Sequence, residues 1–551
     1  MNTPRVLAIG LDGYSVELAD RLMTEGALPA LAALRARSAA FLLDHGPAQR
    51  SGLAYEHIST GLSPADSGRQ SAVHFDPRSY RAWQQGTTRP PFAAALTART
   101  VVFDAPYFWL ERAPHVQGLV GWGAHDPGVA SHSQPHTLGA EISARFGAYP
   151  GREYLYATPW MSAPQCERMG AALHGAAKQR TRIAQWLLAE RLPAWQLALV
   201  VVSELHSAHE GLWHGVDAEH PAHHLPSAAP AAQGLRAVYG AVDRLVGTLA
   251  DRFPDAELLV FATGGMGANH SDVASMALLP ELLHREAFGT GRLRPRRDWL
   301  DNIGTSAGAP ALLGEDETCW SGAVNPRLRQ RKRRWPRWFH HAPVADPPHE
   351  APAAGARPLP LEWMPAARYR EHWRHMRAFA LPSFYDGRIR INLVGREARG
   401  RVRLRDYSSA LQALEQLLLE CRDPATGGPV IEHFEHQATA DPEAAGPSLA
   451  DLVVVWSHGC TALEHPRHGL IGPLPWRRTG GHTGTHGMAW LRSGRVPTGE
   501  HGVRSTFDVV PTLIDLLREA QPSRMSGISL LAAPRSGNIE DAAPVRLGGT
   551  A

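Results

Sequence analysis

The sequence predicts an α/β protein in which a mostly parallel central sheet is flanked by helices and interrupted by inserted segments. Two observations predict this fold class. Short apolar runs, each suited to one buried strand, alternate with amphipathic stretches that suit helices. The chain has 551 residues, of which 44% are hydrophobic and 20% charged, and this is enough for one large domain with a substantial core.

The first buried strand is predicted over Val6–Leu11 and ends at Asp12 and Gly13. A helix should follow, with apolar residues at 18 and 22 and a break at 26–29, because Gly and Pro disfavour a helix interior. The same reasoning predicts further strands over Leu197–Val202, 258–261 and 452–455, and helices over 234–253 and 506–517.

Residues 1–535 are expected to form a single domain with two insertions. The first, about 70–165, is rich in aromatic residues, Pro and Gly, and the second, about 290–375, carries a basic run and a Pro-rich stretch. We interpret the basic run at 327–337 as a solvated face rather than a polyanion site. Residues 536–551 are predicted to be a flexible tail.

The charge balance excludes several classes of partner. The formal net charge is +3, from 56 basic and 53 acidic residues, so neither a nucleic acid polymer nor a membrane surface is expected to bind. No signal peptide or transmembrane helix is expected, because long apolar stretches are lacking. The four cysteines form no CxxC pair, which favours a reducing compartment and a cytoplasmic location. The sequence does not indicate an oligomeric state.

Two polar residues stand where reactive groups gather in a parallel sheet. Asp12 follows the first strand at its carboxyl end, where a carboxylate could hold a cation, although Asp-Gly is also an ordinary turn. Ser51 opens the segment SGLAYEHISTG, where a hydroxyl at a helix start would face both the positive helix end and a phosphate. An ordinary N-cap serine fits the same pattern, so both interpretations stay open.

Six sequence blocks occur in order along the chain, and together they carry a resemblance. The blocks are LAIGLDGYSVELADRLMTEGALPALAAL, STGLSP, INLVGREARG, RTGGHTGTHGMAWLRSG, FDVVPTLIDLL and RMSGISLL. They resemble the type I phosphodiesterase/nucleotide pyrophosphatase branch of the alkaline phosphatase superfamily, which implies an alkaline-phosphatase-like fold. In that branch a Thr or Ser nucleophile lies nine residues before the Thr of a Thr-Gly-x-x-Pro segment, and counting back from Thr60 gives Ser51.

The resemblance implies a metal-assisted reaction. Members hold two divalent metals between Asp and His ligands, and the metals activate the hydroxyl that attacks phosphorus or sulfur. By position, Asp12 is implied to be a metal ligand, Ser51 the nucleophile and His482 a further metal ligand.

The middle motifs depart from the family pattern. Where the family places an Asp and, four residues later, a His, this chain has His206 and Glu210. On a helix these two residues would lie one turn apart on the same face, and with His482 they would form a set that suits zinc. A His-rich helix start without a metal is the alternative.

The third metal motif is missing. Where members carry Asp-His-Gly after a strand, this chain has Thr263 and Gly264, and neither can replace a carboxylate or an imidazole. Candidate replacements follow closely in the sequence: Asn269, His270 and Asp272.

The expected activity is that of a hydrolase or transferase acting on a small phosphate or sulfate ester through Ser51. His125 and Asp126 lie in the first insertion, where the family builds its substrate-facing cap, and are candidate substrate or metal residues. We expect one divalent ion or two, with zinc preferred and manganese or magnesium as alternatives. The sequence leaves open whether the ester is a monoester or a diester. The alternative is an impaired or repurposed member that binds a ligand or transfers a group in a biosynthetic pathway.

Overall fold

The computed structural model describes residues 4–155, 161–294, 320, 359–361, 363–437 and 441–532. The strands of these residues are β1 Val6–Leu11, β2 Ala39–Asp44, β3 Val73–Asp76, β4 Arg81–Gln84, β5 Thr100–Phe103, β6 Gln117–Val120, β7 His132–Gln134, β8 Leu197–Val202, β9 Glu257–Ala262, β10 Gly265–Ala268, β11 Leu359–Pro360, β12 Ala378–Leu381, β13 Gly387–Ile391, β14 Ile431–His436, β15 Leu452–Trp456, β16 Leu463–His465, β17 Gly469–Ile471, β18 Gly480–Gly484, β19 Gly487–Arg492 and β20 Gly499–Ser505. The α-helices are α1 Val16–Thr24, α2 Pro29–Arg35, α3 Ala54–Thr60, α4 Pro64–Ser67, α5 Leu138–Phe146, α6 Ala163–Trp186, α7 Glu204–Leu212, α8 Ala228–Arg252, α9 Leu279–Phe288, α10 Arg370–Trp373, α11 Tyr407–Leu419 and α12 Val509–Leu517.

A nine-stranded sheet forms the centre of the protein, in the order β20-β2-β19-β9-β1-β8-β5-β6-β7. The five strands from β9 to β6 in this order are all parallel. β19 is antiparallel to both of its neighbours, and β7 is antiparallel to β6 at the edge. The predicted α/β class with a mostly parallel sheet is therefore confirmed. A second, four-stranded antiparallel sheet is built from β12, β13, β15 and β14.

Both faces of the central sheet are buried at β1 and β8, which explains why these two strands are apolar at every position. In β1, Leu7, Ile9 and Leu11 face one core cluster, into which α1, α6 and α8 also bury side chains. Val6 and Ala8 point to the opposite cluster, to which α12 contributes. The alternation of side chains along a strand thus divides one apolar run between two cores.

The predicted elements match the structure closely. β1 and β8 have the predicted bounds, and the other two predicted strands lie within β9 and β15. The predicted break at 26–29 separates α1 from α2, and α8 contains most of the predicted helix 234–253. In the predicted helix 506–517 the first turn is a 3-10 helix, and α12 begins at Val509.

The range predicted as the first insertion contains strands of the central sheet. β5, β6 and β7 lie within residues 70–165, yet they belong to the central sheet. Their apolar runs are short and lie between segments rich in Pro, Gly and aromatic residues. The sequence pattern therefore did not predict these three strands. Most of the second insertion, the basic run at 327–337 and the tail at 536–551 lie outside the described residues.

No helix among the described residues combines the length and the apolar character that a bilayer span requires.

Buried neutral histidines should make the fold sensitive to mild acid. Burial lowers the pKa of His45 and His220 to about 4 and that of His214 to about 3. In the unfolded chain these rings take up a proton near pH 6.5. Their contribution to the free energy of unfolding is therefore fully present above that pH and is lost as the pH falls towards 4. We expect each ring to cost about 1.4 kcal/mol at pH 5.5 relative to pH 7.5.

Denaturant unfolding at the two pH values measures this loss. His214 contacts the hydroxyls of Thr479 and Ser227 through its ring nitrogens, and Gln can make similar bonds without titrating. The variant His214→Gln should therefore lose less stability on acidification than the wild type. Equal stability of the wild type at both pH values would contradict the prediction.

Candidate active site

The carboxyl ends of the parallel strands meet at one edge of the central sheet, and the candidate residues gather there. β1 and β8 pair in register up to Leu11 and Val202, which places Asp12 beside the start of α7. The backbone at Gly13 has φ +75°, and a Cβ there would lie 2.2 Å from the Cα of His206. Because only glycine permits this approach, the turn brings the Asp12 carboxylate to 3.1 Å from Nδ1 of His206.

Helix α7 presents His206 and Glu210 one turn apart on the same face, as their spacing predicts. Nε2 of His206 lies 3.6 Å from Oε1 of Glu210, and both side chains are buried. The pair thus has the geometry of two neighbouring ligands.

Strand β18 brings His482 to this pair. A Cβ at Gly480 would lie 2.2 Å from the carbonyl oxygen of His209, so glycine lets β18 pack directly on α7. The Nε2 atoms of His482 and His206 are 3.0 Å apart. Two nitrogens on one tetrahedral zinc ion are separated by about 3.3 Å, which follows from Zn–N bonds of about 2.0–2.1 Å. The two rings could therefore face one cation with little movement.

His125, from the loop after β6, completes the cluster. Its ring stacks on that of His206 with 3.8 Å between centroids, and its Nε2 lies 3.7 Å from Oε2 of Glu210. Its Nδ1 lies 3.3 Å from the hydroxyl of Ser207. The Asp126 carboxylate is 4.0 Å from the same Nε2, and burial raises its pKa to about 6. Both cap candidates therefore lie beside the α7 pair.

The carboxylates control the charge of the cluster. Burial disfavours a charged His206, but Asp12 and Glu210 outweigh burial and raise its pKa to about 10. Burial and the neighbouring His206 lower the pKa of His125 and of His482 well below the usual range. A positive charge is thus favoured between the two carboxylates, and a metal cation at this place would gain from the same attraction.

These side chains fit one divalent cation. Among the described residues, His125, His206 and Glu210 offer ligand atoms that all lie within 4.8 Å of one another. Oε2 of Glu210 is buried and forms no hydrogen bond with any residue that the structure describes, which is costly for a carboxylate unless a cation binds it. Three imidazoles and a carboxylate form a donor set that suits zinc.

Asp272, a candidate replacement ligand, is engaged by arginines instead. Nε and Nη2 of Arg478 donate to its two carboxylate oxygens at 2.7 and 2.6 Å, and Nε of Arg477 donates at 3.0 Å. Nη1 of Arg478 contacts Oε1 of Glu210. Asp272 therefore lies behind Glu210 and holds it through Arg478.

The other two candidate replacements also have different surroundings. Oδ1 of Asn269 accepts hydrogen bonds from the backbone of Ser271 and Asp272, and its Nδ2 donates to the carbonyl of Gly480. The pKa of His270 is lowered, first by burial and then by the nearby His458. Neither side chain joins His206 and Glu210 in the three-residue cluster.

The place of the missing motif is occupied. A Cβ at Gly264 would lie 3.1 Å from Cδ of Gln49, so the glutamine side chain fills the space into which a larger residue would project. The carbonyl of Thr263 accepts a hydrogen bond from the hydroxyl of Thr506 at 2.9 Å. Thr263 and Gly264 supply neither a carboxylate nor an imidazole, and Gln49 fills the space beside Gly264, so these two positions do not fit a second cation beside Asp12.

Ser51 ends the 3-10 helix Gly46–Ser51 and is buried. Its hydroxyl donates to the carbonyl of Ala48 at 2.6 Å and accepts from the backbone N–H of Leu53 at 3.1 Å. The next residue is Gly52, and a Cβ atom at this position would lie 3.7 Å from Cε2 of the Tyr385 ring. That ring is 4.4 Å from the ring of His482, centroid to centroid, which connects the serine turn to the histidine cluster.

Sequence reasoning missed Gln49, Tyr385 and Arg478. Arg478 had a detectable signal, because it is a basic residue at the start of the block that contains His482. Gln49 and Tyr385 are ordinary residues in their local sequence, and only tertiary structure places them beside the site.

Known proteins resemble this chain in sequence or in structure. The sequence model of a family described as type I phosphodiesterase / nucleotide pyrophosphatase matches residues 6–312. No curated protein matches the sequence significantly. Among solved structures, phosphonoacetate hydrolase from Sinorhizobium meliloti 1021 with phosphonoacetate has 14% identity and a TM-score of 0.48, over 94% of this chain and 95% of that one. Murine ectonucleotide pyrophosphatase / phosphodiesterase 5 has 10% identity and a TM-score of 0.44, over 95% and 97%.

Proposed function

The chain belongs to the type I phosphodiesterase/nucleotide pyrophosphatase family, a family of hydrolases, and from this premise we propose that it hydrolyses a small phosphate ester with one bound divalent cation and with Ser51 as the nucleophile. The observation that carries the proposal is the buried cluster of His125, His206 and Glu210, with His482 at 3.0 Å from His206 and with Oε2 of Glu210 at 3.7 Å from His125. Zinc is the preferred ion, because the donors are three imidazoles and one carboxylate.

Each residue has a distinct part in this proposal. His206, Glu210, His482 and His125 would hold the cation, which when bound would polarise the phosphoryl group and acidify a neighbouring hydroxyl. Asp12 holds the His206 ring through the 3.1 Å contact to Nδ1. Arg478 fixes Oε1 of Glu210, which leaves Oε2 as the oxygen available to a cation.

Ser51 would act in two steps. Its oxygen forms a bond to phosphorus while the bond from phosphorus to the leaving oxygen breaks, and the leaving alcohol takes up a proton. Water then cleaves the phosphoserine ester and restores the hydroxyl. The hydrogen bond from Ser51 to the Ala48 carbonyl must open for the attack, since that bond uses the proton which the serine has to release.

Phosphodiesters and pyrophosphates are the first substrates to test, because they are named in the description of the family. A phosphate monoester, a sulfate ester and transfer to a second acceptor are alternatives that the same nucleophile could serve.

The metal content of the purified protein tests the cation site. We expect about one zinc ion per chain by mass spectrometry, because three proposed donors lie within 4.8 Å of one another and His482 lies 3.0 Å from one of them. We also expect loss of that ion in His206→Ala and His482→Ala. The control is His486→Ala. In the part of the chain that the structure describes, Nδ1 of His486 has an exposed hydrogen-bond contact with the hydroxyl of the adjacent Thr485. A wild type that stays free of metal after supplementation with zinc or manganese would contradict the proposal.

A binding protein without turnover is the second candidate. It is favoured by the closed hydrogen bonding of the Ser51 hydroxyl and by the loss of ligands at Thr263 and Gly264. A protein that binds the cation and a phosphate ester, yet leaves the ester intact, would support this candidate.

A further inference from the structure

Gln49 lies in the same 3-10 helix as Ser51 and reaches across to a different part of the chain. Its Nε2 lies 3.0 Å from the carbonyl oxygen of Gly484, 3.2 Å from that of His482 and 3.4 Å from that of Gly265. These three carbonyls belong to β10 and β18, which pair as a two-stranded ribbon. One side-chain amide therefore joins the turn of the proposed nucleophile to the strand of a proposed metal ligand.

The same side chain explains the glycine at 264. The three atoms nearest to a Cβ built there are Cδ, Cγ and Oε1 of Gln49, at 3.1, 3.3 and 3.3 Å. Gly264 does not have a positive φ, so its backbone would accept alanine without strain. Gln49 is thus the nearest limit on the space beside Gly264.

We propose that Gln49 is the positioning residue of the serine turn, and that its amide takes the structural place of a second cation by tying Ser51 to the β10–β18 ribbon. This inference rests on the proposed function for the role of Ser51. It explains how a chain that lacks carboxylate and imidazole at Thr263 and Gly264 keeps its serine turn fixed. The two N–H donors of the Gln49 amide, shared among three backbone carbonyl oxygens, replace the coordination that those residues cannot supply.

A substitution series on Gln49 tests the positioning role. Gln49→Met keeps the size of the side chain but removes the amide, and Gln416→Met, at an exposed position on α11, is the matched control. We expect Gln49→Met to lower kcat about 10- to 100-fold on an aryl phosphodiester, with KM changed less than about threefold and with the zinc content of the wild type. Unchanged kcat would overturn the proposal.

A double-mutant cycle separates positioning from a general structural effect. Gly264→Ala should lower kcat in the wild-type background, because the new Cβ displaces Gln49, but should cost nothing further in the Gln49→Ala background. An equal loss in both backgrounds would show that the glycine is required for another reason and would overturn the proposal.

Metal stoichiometry gives a readout that does not depend on activity. The variant Thr263→Asp/Gly264→His should bind no additional ion while Gln49 is present, and should bind a second ion once Gln49→Ala is added. A second ion bound with Gln49 in place would overturn the proposal. If Ser51→Ala retained full turnover, the proposed function would fail, while this comparison would still decide whether Gln49 occupies the second cation's place.

Discussion

Replacing Ser51 by alanine should lower kcat on aryl phosphate esters by about 10³-fold or more and should leave the proposed cation in place. The reason is that the proposed mechanism requires a covalent bond between the serine oxygen and phosphorus, and removal of such a nucleophile leaves only binding and electrostatic contributions. The cation should remain, since its proposed ligands are His125, His206, Glu210 and His482. Steady-state kinetics together with zinc analysis of the same preparation measure both effects.

Ser59→Ala is the matched control for this prediction. Ser59 is buried in α3, and its hydroxyl has no hydrogen-bond partner within the described part of the chain, so the substitution should leave both turnover and metal content unchanged. Activity of Ser51→Ala within a few-fold of the wild type would exclude a serine nucleophile. Loss of zinc in Ser51→Ala would instead assign the hydroxyl to the cation site.

Arg180→Met should destabilise the fold by about 3–5 kcal/mol. Arg180 is fully buried and pairs through Nε with Glu204 at 2.9 Å and through Nη2 with Asp104 at 2.9 Å. Without the guanidinium, two carboxylates would remain buried and unpaired. The Asp104 carboxylate also accepts the backbone N–H groups of Trp122 and Gly123, just before His125, so the loss should reach the site as well.

Denaturant unfolding and zinc content together test the role of Arg180. Arg168→Met, at an exposed position of the same helix α6, should leave stability within about 0.5 kcal/mol of the wild type. Adding Glu204→Gln to Arg180→Met should recover part of the loss, because one buried charge is removed. A loss below about 1 kcal/mol for Arg180→Met would mean that the carboxylates find other partners or bind protons at little cost.

The sequence could predict those features that depend on local pattern. The strands β1 and β8 were identifiable because a buried parallel strand is a short continuous apolar run with polar residues at its end. The shared face of His206 and Glu210 followed from helical spacing. Asp12 could be placed at the sheet edge because parallel strands end together.

The remaining features depend on contacts between distant segments. His125 was a candidate from its place in the first insertion, but its contact with the α7 pair depends on distant segments. The Asp104 carboxylate holds the backbone of Gly123, and the His125 ring stacks on that of His206. Asp272 was a candidate ligand because carboxylates bind metals. Its carboxylate accepts hydrogen bonds from Arg477 and Arg478, which lie 205 and 206 residues later in the chain. The proposed role of Gln49 likewise depends on the absence of a side chain at Gly264. These two residues lie far apart in the sequence, so the sequence gives no sign of their contact.

The position of His482 on β18 has a consequence for biosynthesis. Asp12, Ser51, His125 and the pair on α7 all lie within the first 210 residues, whereas His482 belongs to the last fifth of the polypeptide. A nascent chain would therefore expose most of the proposed donor set before its final donor leaves the ribosome. Capture of the ion by the complete set would then coincide with docking of β18 on α7, so that cation uptake would report that these two distant segments have come together.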